Sequence, residues 1–438
     1  MQLLAAAAEP QNLVFARFQM ALSLGWHIVV ACLGVGFPPV ILIAEALGLR
    51  RGDTVHRELA RRWARAAAVL FAVGAVSGTI LSFEMGILWP GLMGGYGAVF
   101  GLPFALEGFA FFIEAIFIGI YLYGWDRLSP RLHLLTGMPV VVAGVLSAFF
   151  VVCANSWMND PQGFRLVAGR VADPDPIAAM FNPATPVQSV HMILAAIMVS
   201  GYAVAAVHAV GLLRGRRGRG ARAAFLIPFT VAALFTPAQI VVGDAAARHV
   251  AEHQPVKLAA MEAQVPTEVG ADEHVGGVIV DGRLRGAIII PHGLSLLLTG
   301  GTRARVAGLD AVPPDQRPPA NVVHLAFDLM VGIGIALLAL GGWLGLTWWR
   351  RRDLPRSRWF LRAAVLAGPA AVAAMEAGWV TTEVGRQPWI VYRVLRTADA
   401  VNTAPGLAAG LFVLIAVYTV LTLCTVYVLR RLGPVGSS

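Results

Sequence analysis

Long apolar runs constrain this chain more than any other feature. Nine recur along its 438 residues, at about 18–47, 66–89, 100–123, 134–153, 189–213, 223–242, 322–343, 363–382 and 406–428. A run of about 18 residues or more is long enough to cross the hydrocarbon of a bilayer as a helix. Lipid offers no partner to an unpaired backbone group, so only helices and closed barrels cross it. A barrel needs segments of about ten residues that alternate in polarity, and these runs do not alternate. The fold class is therefore all-α, a polytopic membrane protein of about nine transmembrane helices. Only 13% of the residues are charged, against about 25% in soluble domains.

Arginine sets the orientation. Arg50, Arg51, Arg57, Arg61, Arg62 and Arg65 follow the first run, Arg127 and Arg131 the third, and Arg214, Arg216, Arg217, Arg219 and Arg222 the fifth. Arg350, Arg351, Arg352, Arg356, Arg358 and Arg362 follow the seventh, and Arg430 and Arg431 the ninth. Every odd-numbered connection is thus arginine-rich, which puts these loops and the C-terminus in the cytoplasm and the N-terminus outside. The same bias accounts for the net charge of +9 without nucleic acid as a partner. The start, MQLLAAAAEPQN, lacks the basic residues of a secretory signal, so the first run is a retained span. Cys32, Cys153 and Cys424 all lie in apolar runs and form neither a disulfide framework nor a metal motif. The chain divides into spans 1–6 (1–242), one long extracytoplasmic loop (243–321) and spans 7–9 (322–438). Within the loop, VIVDGRLRGAIIIPHG reads as a turn between short extended pieces.

Ionisable groups inside spans cost about 2.5–3.5 kcal/mol at a helix centre and need a local reason. His27 lies in the first span, and His191 opens the fifth. Met330 stands near the start of the seventh, and Glu376 and Glu383 lie in and at the end of the eighth. Glu107 and Glu114 share the third. Seven residues are close to two turns, so both carboxylates face one side, about 10 Å apart along the axis. A lone histidine is as readily bonded to a neighbouring helix, and a methionine is ordinarily a packing residue. Two acids on one apolar face suit a proton path or a cation site. Trp379 and Glu383, four apart, share a face, and Arg386 suits an anionic partner or an interfacial anchor. With the orientation above, His27, Glu107, His191, Met330 and Glu383 fall in the outer half of the bilayer. Histidine, methionine and glutamate are all axial ligands for haem iron, and a His/Met pair suits low-spin electron transfer. Carboxylates beside them can supply protons. A redox enzyme is favoured over a transporter, whose two related halves are not found. Haem–copper oxidases need an adjacent histidine pair, which is absent. Cytochromes b of the quinol:cytochrome c type need repeated in-span histidine pairs, which His27, His191, His208 and His324 do not form.

Lysine is nearly missing. Lys and Arg together number 34, and Lys257 is the one lysine among them, in EHQPVKLAAMEAQ, five residues before Glu262.

These stretches together resemble subunit I of the cytochrome bd-type quinol oxidases over almost the whole chain. The resemblance rests on RFQMALSLGWH (17–27), FGLPFALEGFAFFIEAIFIGIYLYGWDRL (100–128), CANSWMNDP (153–161), PVQSVH (186–191) and Gly243–Asp244. It continues in KLAAMEA (257–263), EAGWVTTEVGRQPW (376–389) and RLGP (431–434), with GRQPW and KLAAMEA the most specific. It implies a haem-containing subunit of a terminal quinol oxidase in the bacterial cytoplasmic membrane. Quinol would be oxidised at the outer face, and electrons would pass by a low-spin haem b to a high-spin pair, a haem b and a haem d or further b-type haem. Oxygen would be reduced to water with cytoplasmic protons, building a proton motive force without pumping. It implies His191 and Met330 as ligands of the low-spin haem, and His27 and Glu383 as ligands of the high-spin haems. Trp379 would stand between them, Glu107 and Glu114 by the oxygen-reducing centre, and Arg386 on a haem propionate. Lys257 and Glu262 would bind the quinol, ubiquinol or menaquinol: the carboxylate accepts a proton, and the lysine bonds a quinone oxygen and holds the carboxylate ionised. The partners implied are a second integral membrane subunit (subunit II), a small single-helix accessory subunit, quinol and O2. The chain departs from the family pattern at Asp328, where an arginine often stands two residues before the methionine. Its carboxylates on the third span are seven apart where some members have eight. Its short loop resembles the cyanide-insensitive sub-group.

Overall fold

The computed structural model describes residues 11–216, 218–355 and 357–432. The proline and glycine of the RLGP stretch, the first ten residues, Arg217 and Arg356 lie outside the described residues. Nine long helices carry apolar windows able to cross a membrane among the described residues: α1 (Gln11–Arg51), α2 (Thr54–Leu88), α3 (Pro90–Gly124), α4 (Pro130–Asn159), α6 (Thr185–Leu213), α7 (Arg219–His253), α10 (Ala320–Arg351), α11 (Arg358–Val384) and α13 (Leu407–Arg431). Four short helices lie between them: α5 (Pro176–Met180), α8 (Pro255–Met261), α9 (Gly293–Thr299) and α12 (Thr397–Ala400). The expected all-α architecture is present, with strands of at most three residues confined to the connections.

The helices outrun the apolar runs. At about 1.5 Å per residue, α1 is roughly twice as long as the hydrocarbon is thick, because a helix satisfies its own backbone in lipid and water alike. The clearest difference is α7. The polarity change at Gly243 marks where the chain leaves the apolar zone, yet the helix runs on to His253, supported by an Arg248–Asp244 pair four residues apart. The non-helical part of the polar segment therefore begins at Gln254, although its polarity begins at Gly243. Within it Val278–Val280 pairs antiparallel with Arg283–Arg285 around Asp281 and Gly282, both with positive φ, the turn chemistry that Asp-Gly favours. Ile288–Ile290 pairs with Glu273–Val275 outside that hairpin.

Small residues let the helices close. A Cβ on Gly36 of α1 would lie 2.3 Å from the Ala196 carbonyl oxygen of α6, and one on Gly201 would lie 2.7 Å from the Pro228 oxygen of α7. Lipid drives no hydrophobic association between helices, so such backbone approach is how membrane helices gain packing. Tyr202, Phe225, Phe229 and Phe360 fill the α6–α7–α11 core with no exposed surface. The connection from Gly385 to Gly406 ties down the same end of the bundle as the polar segment: Tyr392 N–H donates to the Met158 oxygen and Asn402 N–H to the Leu88 oxygen. This is called the loop end below.

Candidate functional site

Three seams between helices hold the in-span candidates. Between α1 and α2, His27 Nδ1 lies 2.8 Å from Ser77 Oγ, and a Cβ on Gly78 would stand 3.2 Å from the ring. Between α6 and α7, His191 Nε2 lies 3.1 Å from the Gln239 amide nitrogen, while Nδ1 is buried with no hydrogen-bond partner. Between α10 and α11, Met330 Sδ sits 2.7 Å from where a Cβ on Gly378 would be, so a side chain there would push the thioether aside. Trp379 follows, its Nε1–H buried and unpartnered. Gly25 of α1 faces α11 here: a Cβ on it would stand 3.5 Å from Glu376 Oε2 and 3.7 Å from the Trp379 ring. His191 and Met330 lie near the loop-end starts of their helices, Glu383 lies in the last turn of α11, and Glu107 lies at the middle of α3.

At the loop end a charged cluster joins α4, α8 and α11. Asn155 Nδ2 donates to Glu383 Oε1 at 2.6 Å, and Arg386 Nη2 donates to Oε2 at 2.5 Å. Arg386 is 2% exposed, yet its Nε and Nη1 find no partner. A buried cation with unmet donors is costly, so this guanidinium is shaped for an anion. One turn along α4 from Asn155, Asn159 Oδ1 accepts from Lys257 Nζ at 2.7 Å. Lys257 lies along Gly385, whose added Cβ would stand 3.0 Å from its Cγ. Burial, and then the Arg386 charge, pull the lysine down to about 7, against the opposing pull of Glu383.

Lys257 and Glu262 do not form the expected pair. Five residues of helix turn the second side chain about 140° from the first. Lys257 reaches α4, whereas Glu262 enters a separate pocket. There burial, then Glu273, then Asp328 push the Glu262 carboxyl well above the usual range, and burial and Asp328 also raise Glu273. Burial and the acidic neighbours thus favour the protonated carboxyl, the opposite of a carboxylate held ionised by the lysine. His324, fully buried, completes the pocket, with Nδ1 2.7 Å from the Met261 oxygen and Nε2 2.9 Å from the Gly276 oxygen. Asp328 Oδ2 lies 3.4 Å from His324 Nε2, one turn along the same helix. Asp328 also accepts from Gly276 N–H at 2.6 Å. The residue that departs from the family pattern thus ties α10 to the loop.

This pocket sets a pH dependence. Both acids titrate higher folded than unfolded, so the folded state holds extra protons above the ordinary glutamate value of 4.5, and stability falls as pH rises through that window. Glu273→Gln removes one of the acids and flattens the fall. Thermal midpoints measured between about pH 5 and 8 test this; parallel curves for variant and wild type refute it.

On α3 the seven-residue spacing continues. Glu107 is half-buried and accepts from Ser147. Glu114 is buried against Gly144 of α4. Tyr121, seven further on, donates to Glu45 Oε2 at 2.5 Å, while His133 Nδ1 lies 2.6 Å from Glu45 Oε1. Glu114 and Tyr121 border one cavity of about 30 Å³, room enough for a water. Glu45, Tyr121 and His133 were missed in the sequence, although the repeat from Glu107 to Glu114 pointed at Tyr121. Glu84, buried in α2, gave no signal beyond being an acid in an apolar run.

The profile described as cytochrome bd terminal oxidase subunit I matches residues 15–436. The chain is 36% identical to a Bacillus subtilis (strain 168) protein named as a candidate cytochrome bd menaquinol oxidase subunit I, over 95% of this chain and 96% of that one. It is 31% identical to cytochrome bd ubiquinol oxidase subunit 1 of the same organism, over 92% and 89%. Among solved structures it superposes on the bd oxidase from Geobacillus thermodenitrificans with a TM-score of 0.90 and 38% identity, covering 96% of this chain and 98% of that one. The nine apolar helices, the seams that hold His27, His191 and Met330, and these matches agree: this chain belongs to the cytochrome bd terminal oxidase subunit I family, the haem-bearing quinol oxidases of bacterial membranes.

Proposed function

We propose that the chain oxidises quinol at its loop end and supports reduction of O2 to water, with the loop end outside the cell. Protons released outside and drawn from the cytoplasm would then build a proton motive force without a pumping cycle. The observation that carries this reading is Arg386, a buried guanidinium with two unmet donors beside Glu383 and Lys257.

The residues fit haem. His191 Nδ1 and Trp379 Nε1 are buried without partners, Met330 presents its thioether in the α10–α11 seam, and Arg386 has donors free for a carboxylate. His191 and Met330 would hold a low-spin haem b, and His27 and Glu383 a high-spin haem b and a haem d or further b-type haem, with Arg386 on a propionate. Haem supplies one-electron transfer and oxygen binding when bound. Trp379 fills the space between α1 and α11 and excludes water there. Lys257 Nζ, with Asn159, orients a quinone oxygen. Glu262, whose protonated form is favoured by burial and then by Glu273, donates a hydrogen bond to a quinol oxygen rather than taking its first proton. Glu114 and Glu107, with the water-sized cavity and the Tyr121–Glu45–His133 group toward the arginine-rich end, offer a proton route along one face of α3.

Relatives named for menaquinol and for ubiquinol support a quinol substrate of either kind. A second integral membrane subunit and a small single-helix accessory subunit are the proposed partners. The purified complex tests the reading: reduced-minus-oxidised haem bands and oxygen uptake with ubiquinol or menaquinol are expected, and Glu114→Gln should slow oxygen uptake at least about 100-fold, the lower end of the range for a lost proton-transfer group. A colourless complex, or one inert with both quinols, overturns it.

A further inference from the structure

The geometry points to a divalent-cation site, of the zinc class, formed by Asp160, His249 and His253 at the loop end. Asp160 caps the C-terminus of α4, and the two histidines occupy the last turns of α7, four residues apart. That spacing lets one helix face offer two imidazoles to one metal. Their rings stack with centroids 4.0 Å apart. His253 Nδ1 lies 3.1 Å from the His249 oxygen. Donating there, it leaves Nε2 with a free lone pair, the arrangement that orients a metal-binding imidazole.

All three donor atoms converge. Asp160 Oδ2 is 4.0 Å from His249 Nε2 and 3.9 Å from His253 Nε2, and the set lies within 4.8 Å. These distances are too long for hydrogen bonds, and both Asp160 Oδ2 and His249 Nε2 are buried without partners. A tetrahedral zinc with ligands at about 2.0–2.2 Å needs donors roughly 3.3 Å apart, so side-chain shifts of less than about 1 Å close the shell. Two neutral imidazoles and one carboxylate are a borderline-soft set that favours Zn2+ over Mg2+ or Ca2+, and water completes the fourth position.

Occupancy would join the end of α4 to the end of α7. Asp160 directly follows Asn159, the acceptor for Lys257. A bound cation would therefore restrain the asparagine that positions the lysine; this consequence, unlike the site itself, rests on Lys257 serving quinol.

The whole oxidase complex, stripped with a chelator and titrated with ZnCl2, is expected to bind one tight equivalent at this site. X-ray absorption should report two imidazole nitrogens and oxygen around the zinc. His253→Ala, at a third-exposed position, should weaken binding at least about 100-fold while haem spectra stay unchanged. Equal zinc uptake by wild type and His253→Ala, or an absorption spectrum without imidazole, overturns the site. Zinc bound through these ligands with no effect on quinol-driven oxygen uptake sustains the site and overturns its link to Lys257.

Discussion

Met330→Leu is expected to abolish or shift the low-spin haem bands of the reduced-minus-oxidised spectrum and to lower quinol-driven oxygen uptake at least about 100-fold. The protein should still accumulate in the membrane. Leucine nearly conserves the volume of methionine, and such swaps cost less than about 1.5 kcal/mol. The thioether sits against Gly378, where there is no Cβ to displace, so the seam between α10 and α11 survives the change. What leucine removes is the sulfur, the only atom of that side chain able to reach a metal. Optical spectra of purified variant and wild type decide the matter. Superimposable spectra would mean that Met330 is packing, and the haem-binding role of this seam would have to be given up.

Lys257→Met is expected to lower turnover with quinol by about 10- to 100-fold, the range of 1.5–3 kcal/mol for a hydrogen bond to a charged group, and to leave every haem band in place. Methionine keeps the buried stem against Gly385 but removes Nζ, leaving Asn159 Oδ1 without its donor. Lys257→Arg should fare little better. A planar fork needs more room than a compact ammonium, and the Arg386 guanidinium already stands nearby. Steady-state oxygen uptake against quinol concentration, with haem content measured in parallel, separates the outcomes. Full turnover in Lys257→Met would take the lysine out of the quinol site.

The spans were legible because lipid imposes a length and a polarity that soluble folds do not. The end of α7 was not, because hydropathy reports where the solvent changes and not where backbone bonding stops. His27, His191 and Met330 stood out as chemistry-bearing groups in apolar runs, and the structure places each in a seam between two helices. The partners that define the loop-end cluster, Asn155, Asn159 and Glu273, are ordinary polar residues near helix ends or in a connection. Nothing local marks them, since their roles arise from contacts between segments about 100 to 230 residues apart, as in Asn159–Lys257 and Asn155–Glu383, or from burial of like charges. The resemblance implied that Lys257 holds Glu262 ionised; in the structure the lysine bonds Asn159 instead, while burial, Glu273 and Asp328 raise the glutamate. Asp328 shows the reverse: a departure from the family pattern became intelligible once His324 and Gly276 were seen around it.

Lys257 is the chain's one lysine, it is buried, and it is held near neutrality. An amine-selective acylating reagent has one side-chain target in this subunit, and that target is shielded while the loop stays closed. The labelling rate then measures how often the pocket opens, and protection by added quinone measures occupancy, without any engineered reporter.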